Sequence, residues 1–116
     1  MSFNFEKLVV YQKAIDVIDK IYSLTKKYPR DEIFGLTSQL QRAAVSIALN
    51  IAEGSARSKK DFGRFIDMAR GSIFECVAIL QISLKQNYIS LSELENIRSD
   101  LVEISKMLSG LKNTLT

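Results

Sequence analysis

Few side chains in this 116-residue sequence could support catalysis. Histidine, the commonest general base and metal ligand, does not occur, and Cys76 is the single cysteine. A lone cysteine excludes a disulfide or a thiolate zinc cluster within the chain. Its position on the apolar stripe of a predicted helix favours a small buried hydrophobe over a nucleophile. The other titratable candidates, none with a recognisable partner, are Glu53, Asp61, Asp67, Glu75 and the tyrosines.

Two of these carboxylates, Glu53 and Glu75, fall in neighbouring predicted helices and could approach each other. An ion pair with Arg42 or Arg70 is favoured over a carboxylate pair, because a carboxylate pair needs a cleft that the sequence does not show. The sequence also contains no glycine-rich phosphate loop, no metal-ligand spacing and no nucleophile elbow. We therefore predict that the protein is not an enzyme and holds no cofactor and no metal.

Basic residues are concentrated in one segment. The net charge is +3, from 16 basic and 13 acidic residues, and residues 55–72 contain five basic and two acidic residues. Lys59 and Lys60 lie in the first turn of a predicted helix, where the helix dipole disfavours a cation by roughly 0.3–1 kcal/mol. Helix stability therefore does not explain them.

This basic segment predicts contact with the phosphates of RNA or DNA. The residues expected to make the contacts are Arg57, Lys59, Lys60, Arg64 and Arg70. The alternative is an ordinary solvated face, diluted by Asp61 and Asp67. No helix-turn-helix, zinc finger or aromatic platform is evident, so the predicted binding does not read base sequence.

Pro29, Gly35 and Gly54 divide the first half of the chain into two predicted helices. The first spans residues 6–27 and ends before the proline, which restricts the residue preceding it. Its apolar stripe comprises Leu8, Tyr11, Ile15, Ile18 and Tyr22, widened by Ala14 and Ile21. The second begins at a cap on Thr37 or Ser38 and ends at the glycine. Its stripe comprises Leu40, Ala44, Ile47 and Ile51, flanked by Ala43 and Ala48.

Capping signals begin two further helices. Ser58 and Asp61 precede a long third helix. Its stripe comprises Phe62, Ile66, Ala69, Ile73, Cys76, Leu80 and Ser83. After a break at Asn87, Ser92 and Glu95 form the next start signal. The fourth stripe comprises Leu94, Ile97, Leu101, Ile104, Leu108, Leu111 and Leu115.

Four amphipathic segments joined by short connections can shield their stripes only against one another. We predict an all-α fold: an antiparallel up-and-down four-helix bundle formed by a single domain over residues 1–116. Period-two alternation is not sustained anywhere, so no strand is expected. The longest charge-free run, residues 43–52, is about half a membrane span, and the N-terminus lacks the order of a signal peptide. We therefore expect a cytoplasmic protein without a membrane segment.

Apolar residues remain after the predicted core is filled. At about 100° per residue, Ile79 and several neighbours fall on the sides and back of the third helix, and Ala52 lies off the stripe of the second. Gly63 and Gly71 each cost the third helix about 1 kcal/mol relative to alanine, which close approach of another backbone would offset. We predict self-association through Leu49, Met68, Gly71, Phe74, Ala78 and Ile82. The alternatives are scattered exposed hydrophobic residues and simple tolerance of glycine.

Residues 39–54, with the sequence QLQRAAVSIALNIAEG, form a specific string. It resembles the four-helix-bundle proteins encoded in intervening sequences of bacterial 23S rRNA genes. YQKA at residues 11–14, FGL at 34–36 and the segment 65–75 extend the likeness to about three-quarters of the chain. The resemblance implies a homopentamer and a relation to accessory proteins of diversity-generating retroelements. Those proteins use a basic surface to engage nucleic acid and a reverse transcriptase.

Polar residues of the same string follow one edge of the second helix. They are either structural ties or ligand contacts, and ties are favoured because a half-buried amide or carboxylate needs a partner. With two residues of the third helix, the group comprises Arg42, Ser46, Asn50, Glu53, Ser72 and Glu75. The sequence thus leads to a non-enzymatic homo-oligomer that binds RNA or DNA. The alternative is an oligomeric protein-interaction scaffold without a nucleic-acid role.

Overall fold

The computed structural model describes residues 1–115 and contains four α-helices, with no strand in that range. The helices are α1 (Val9–Thr25), α2 (Leu36–Ser55), α3 (Lys59–Lys85) and α4 (Leu91–Asn113), with short 3-10 turns at Asn4–Lys7 and Arg30–Glu32. Each helix packs on the next, and α4 returns to pack on α1. Short connections make successive helices antiparallel, so the predicted up-and-down four-helix bundle is confirmed.

One apolar core runs through the bundle and draws on all four helices. The predicted stripes of α2 and α4 are buried, apart from the last two leucines of α4, which are partly buried. The stripe of α3 is buried from Ile66 to Ser83, and Phe62 is partly buried. The most extensive helix contact joins α2 to α3, and Ala44, Ala48 and Ala69 are among the buried residues of these two helices.

The stripe of α1 was predicted in part: Ala14 and Ile21 are buried as expected, but the other fully buried positions differ from those predicted. Ile15 and Tyr22 are 43% and 42% exposed, whereas Val17 and Ile21 are buried. The buried set, spaced alternately by four and three residues, is Val10, Ala14, Val17, Ile21 and Leu24. The sequence carries two overlapping stripes with the same period, so periodicity could not choose between them. α1 packs against both α2 and α4, and this packing selects the stripe with the smaller side chains.

Two predicted helix starts were also wrong. Ser90, rather than Ser92, caps α4: its Oγ accepts the Glu93 N–H at 3.1 Å, and Glu93 Oε1 accepts the Ser90 N–H at 2.9 Å. Ile89 and Leu94 are both buried on either side of this cap, where they can form the hydrophobic staple that Ser92 lacks.

Neither Thr37 nor Ser38 caps α2, because that helix already begins at Leu36. Its first N–H is accepted by Glu32 Oε1 at 3.1 Å, so the acceptor comes from the preceding turn. Gly54 does not end the helix either; it is buried in the last turn. A Cβ there would lie 2.6 Å from Phe65 Cβ and 2.9 Å from Phe62 Cδ1. This glycine lets the ends of α2 and α3 meet.

Candidate nucleic-acid interface and self-association surface

Four of the five predicted phosphate-binding residues lie at the junction between α2 and α3. Arg57 is in the connection, and Lys60 and Arg64 are one turn apart on the outward side of α3. Arg57 Nη2 pairs with Glu53 Oε1 at 3.0 Å, and Arg64 Nη1 pairs with Asp61 Oδ1 at 3.3 Å. Such exposed pairs contribute only about 0–1 kcal/mol, so a phosphate can replace either carboxylate.

Two cations of this group are exposed and make no ion pair with any residue from 1 to 115: Lys59 and Lys60. The Ser58 side chain caps α3 by accepting the Asp61 N–H at 3.3 Å, which places both lysines in the first turn as predicted. Together with Arg57 and Arg64 they form the surface that we call the cationic end.

Arg70 is not part of the cationic end. It lies ten residues beyond Lys60 on α3, is half-buried, and its Nε is buried without a hydrogen-bond partner in the described structure. At about 100° per residue, ten residues rotate the side chain by about 80° around the helix. The sequence placed Arg70 with the others because it counted charges along the chain without following the helical turn.

The ion pair predicted between Glu53 or Glu75 and Arg42 or Arg70 does not form among the described residues. Glu53 stands in the last turn of α2 and pairs with Arg57, not with Arg42 or Arg70. Glu75 lines a small cavity of about 310 Å³ with Arg42 and Ser46, near the first half of α2. Arg42 and Glu75 form no ion pair within the described chain.

A chain of three polar side chains joins the middle of α2 to α3. Asn50 Nδ2 donates to the Ser46 carbonyl at 2.9 Å and to Ser46 Oγ at 3.0 Å. Ser72 Oγ donates to Ser46 Oγ at 2.9 Å across the interface. All three residues are half-buried. This geometry favours the structural tie over a ligand contact, because the groups already satisfy one another.

Cys76 is buried in the core between the helices. Burial raises the pKa of its thiol to about 12, with a smaller contribution from the nearby Glu75 charge. At neutral pH the thiol is therefore protonated and shielded, which matches the buried hydrophobe that the sequence predicted. No group of three or more potential metal ligands occurs in residues 1–115.

The outward side of α3 beyond Arg64 carries several exposed apolar residues. Phe74, Met68 and Ile82 are 66%, 56% and 47% exposed, and Leu49 of α2 is 61% exposed. Leu49 and Met68 line one cavity of about 570 Å³. We call the set Met68, Gly71, Phe74, Ala78 and Ile82 the outer stripe of α3; all of its members are exposed. Ile79, which was expected beside them, is buried at 4% exposure and belongs to the core.

The close approach of another backbone that was predicted at the two glycines within α3 does not come from a neighbouring helix of the subunit, and approach by a second subunit stays a prediction. A Cβ on Gly63 would meet only the Lys112 side chain, at 3.8 Å, so no backbone approaches it within the subunit. A Cβ on Gly71 would meet nothing within 4 Å. Gly71 leaves a flat, open place in the middle of the outer stripe.

Sequence reasoning did not single out three exposed residues at candidate binding surfaces. Phe34, in the connection before α2, is 97% exposed, although the FGL string around it had been singled out. Arg98 and Lys106 of α4 flank an apolar groove between α3 and α4 that has a volume of about 450 Å³. An aromatic residue in a short connection, outside both helical stripes, was the signal that could have found Phe34.

The described helices, the cationic end and the outer stripe define an antiparallel four-helix-bundle protein with two candidate binding surfaces. None of the helices in residues 1–115 combines the length and apolar character needed to cross a membrane. The chain belongs to the 23S rRNA-intervening sequence protein family, whose model matches residues 6–110. The resemblance seen in the sequence is thereby confirmed.

A solved structure is similar over nearly the whole bundle. It is the crystal structure, at 1.70 Å resolution, of a protein of unknown function from the S23 ribosomal protein family of Bacteroides thetaiotaomicron VPI-5482. The two chains are 27% identical with a TM-score of 0.82, and the match covers 90% of this chain and 98% of that one. No curated protein matches the sequence.

Proposed function

We propose that this protein is a non-enzymatic homo-oligomer that binds the phosphate backbone of RNA or DNA without reading the bases. The observation that carries the proposal is the cationic end. Lys59 and Lys60 project from the first turn of α3 with no acidic partner in the described chain, at a place where the helix dipole opposes them. A ligand with negative charge would offset that cost.

The geometry of the cationic end suits a polyanion. Arg57 and Arg64 can exchange their exposed carboxylate partners for phosphates, so up to four cations could act together. The surface has no groove-reading helix and no exposed aromatic platform, since the nearby Phe65 ring lies under the Arg57 guanidinium, 5.3 Å from its centroid. Binding through such a surface depends strongly on salt and weakly on sequence.

Self-association is the second part of the proposal. The outer stripe of α3 lies within the fifteen residues from Met68 to Ile82, or about 21 Å of helix, and its members are apolar where a monomer would gain from polar residues. A homopentamer is the assembly that we propose, because the family resemblance implies five subunits. A ring would also repeat the cationic end several times, which raises the affinity for a long polyanion by multivalency.

The test is a salt titration of binding to labelled single-stranded RNA and to DNA of the same sequence, monitored by fluorescence anisotropy. We expect affinity at about 50 mM salt that falls steeply by about 200 mM, with little preference between the two ligands. The K59E/K60E variant should bind at least about tenfold more weakly and lose about two units of salt slope. The matched control is K26E/K85E, which changes the same charge at the other end of the bundle, at two exposed lysines that make no ion pair with residues 1–115. Equal losses in both variants, or no salt-dependent binding of the native protein, would reject the cationic end as the site.

The runner-up function is an oligomeric scaffold for a protein partner. It is favoured by the fact that two cations of the site, Arg57 and Arg64, already have acidic partners within the subunit. A partner captured from a lysate and retained after nuclease treatment, combined with no RNA or DNA binding in the titration, would select the scaffold.

A further inference from the structure

The connection between α1 and α2 holds two apolar side chains in water. Phe34 is 97% exposed and Ile33 is 48% exposed, next to the exposed carboxylate of Asp31. A phenylalanine can bury roughly 150–250 Å² of surface, so leaving it open forgoes much of the stabilisation that an aromatic side chain can provide. We call Ile33 and Phe34 the knob.

The knob stands on a rigid base. Glu32 accepts the Leu36 N–H at 3.1 Å through Oε1 and the Tyr88 hydroxyl at 2.9 Å through Oε2, so it ties the connection to the turn between α3 and α4. Backbone hydrogen bonds from Ile33 to Arg30 and from Gly35 to Glu32, at 3.1 and 2.9 Å, close the turn around the knob. Because the loop is already ordered, docking it into a partner would cost little conformational entropy.

The groove between α3 and α4 has the complementary properties. Its apolar lining includes Ile73, Val77 and Val102, and its volume is about 450 Å³, which is ample for an aromatic side chain. Arg98 and Lys106 stand eight residues apart on α4, or about 12 Å, and neither makes an ion pair with residues 1–115. The groove thus offers an apolar floor and two free cations.

We propose that the knob of one copy of this chain docks in the α3–α4 groove of the next copy, with Asp31 facing Arg98 or Lys106. The inference rests on the proposed self-association and names a contact within it. The knob cannot fill the groove of its own subunit, because it lies at the end of the bundle and its phenylalanine is almost fully exposed. The acidic residue beside an apolar pair matches the cationic edge around an apolar floor.

The proposed contact is heterologous, because knob and groove are different surfaces. When two copies dock, one copy keeps a free groove and the other keeps a free knob. Such a head-to-tail contact generates a ring when the rotation between copies closes. Phe74 and Ala78 line the groove and also belong to the outer stripe of α3, so the contact is continuous with the surface proposed for self-association.

The experiment mixes two broken variants and measures mass by light scattering. Phe34→Ser removes the knob and keeps the groove, whereas Ala78→Arg blocks the groove and keeps the knob; both positions are exposed, so the helical fold should persist. We expect each variant alone to run as a single chain of 13.1 kDa and an equimolar mixture to form a one-to-one dimer and nothing larger. Phe3→Ser, the same change at another exposed phenylalanine, should leave the assembly of the native protein intact.

The outcomes separate this inference from the proposed function. If the native protein is itself a monomer, the proposed self-association fails and the knob contact fails with it. If Phe34→Ser assembles as the native protein does, self-association stands and the knob contact is wrong. Two monomeric variants that do not combine would also overturn the pairing of knob with groove.

Discussion

The seam between α1 and α4 and the outer stripe of α3 are both outward-facing parts of one bundle, yet they are built in opposite ways. Three lysines, spaced seven residues apart in α1 and the turn that follows it, each pair with an acid of α4: Lys13 with Glu103, Lys20 with Asp100 at 2.7 Å, and Lys27 with Glu93. No residue from Met68 to Ile82 makes an ion pair in the described structure.

The polar side chains of the seam find partners within the subunit, whereas the apolar side chains of the outer stripe do not. α1 and α4 have no direct connection, and theirs is the least extensive of the four helix contacts around the bundle. Their three ion pairs bridge the seam between the two helices within the subunit. The outer stripe has no such internal partner, so its free energy can improve only through contact with another molecule.

The largest expected effect is on assembly. Ile82→Lys places a charge on a surface that we propose to be covered, and burying an unpaired ammonium costs several kcal/mol. We expect the oligomer to dissociate to single chains in light scattering, while the helical circular dichroism stays that of the native protein. The control is Ile15→Lys, the same change at a similarly exposed isoleucine of α1. Unchanged mass for Ile82→Lys would remove the outer stripe from the interface.

A second prediction contrasts Gly54, which is buried in α2 against α3, with Gly71, which lies on the exposed side of α3. Gly54→Ala should lower the free energy of unfolding by about 1–3 kcal/mol, because its Cβ would lie under 3.0 Å from two phenylalanines. Gly71→Ala has open space and should raise the stability of the isolated subunit by about 1 kcal/mol.

Denaturant unfolding measures both changes, with the Gly71 comparison made in the Ile82→Lys background so that assembly does not contribute. Similar destabilisation by both substitutions would contradict the open character of the outer stripe.

The smallest effect concerns acid stability of the α1–α4 seam. The hydrogen bond from Lys27 lowers the pKa of Glu93 below its ordinary value of 4.5, and the hydrogen bond from the Ser90 N–H lowers it further. Because the folded pKa is the lower one, this stabilisation is complete above about pH 4.5 and is lost as the pH falls through the folded pKa. Glu93→Gln keeps an acceptor for the helix cap but removes the charge.

Unfolding of native protein and Glu93→Gln at a series of pH values measures this contribution. The native advantage should shrink below pH 4.5, whereas Glu95→Gln, at an exposed residue without an ion pair, should follow the native profile. A constant difference between Glu93→Gln and native protein at every pH would show that the ion pair with Lys27 does not stabilise the seam.

Periodicity predicted the core of α2, α3 and α4 because each carries one dominant stripe, such as Leu40, Ala44, Ile47 and Ile51 in α2. It failed on α1, where two stripes compete, and on the start of α4, where Ser90 and Ser92 offer the same capping signal. In both places tertiary packing decides which residues are buried and where the helix begins, and a local sequence pattern carries no information on tertiary packing.

For the candidate site too, the sequence predicted the local positions of residues but not their contacts across the fold. Position along one helix was enough to place Lys59 and Lys60 at the start of α3. The partners of the polar side chains were not predictable. Glu53 forms its ion pair with Arg57 and not with Arg42. Ser46 accepts a hydrogen bond from Ser72 because α2 and α3 run antiparallel. Phe34 was missed because its exposure depends on the conformation of the turn that Glu32 holds. Glu32 is fixed by a hydrogen bond from Tyr88, which lies 56 residues further along the chain.

The buried thiol of Cys76 makes this chain convenient for site-directed labelling. A sulfhydryl that stays protonated and covered does not react with maleimides or nitroxide reagents while the bundle is folded. A cysteine introduced on the knob or at the cationic end would therefore carry the dye or spin label by itself, without prior removal of the native residue. Distances between neighbouring copies could then be read directly from an otherwise unaltered protein.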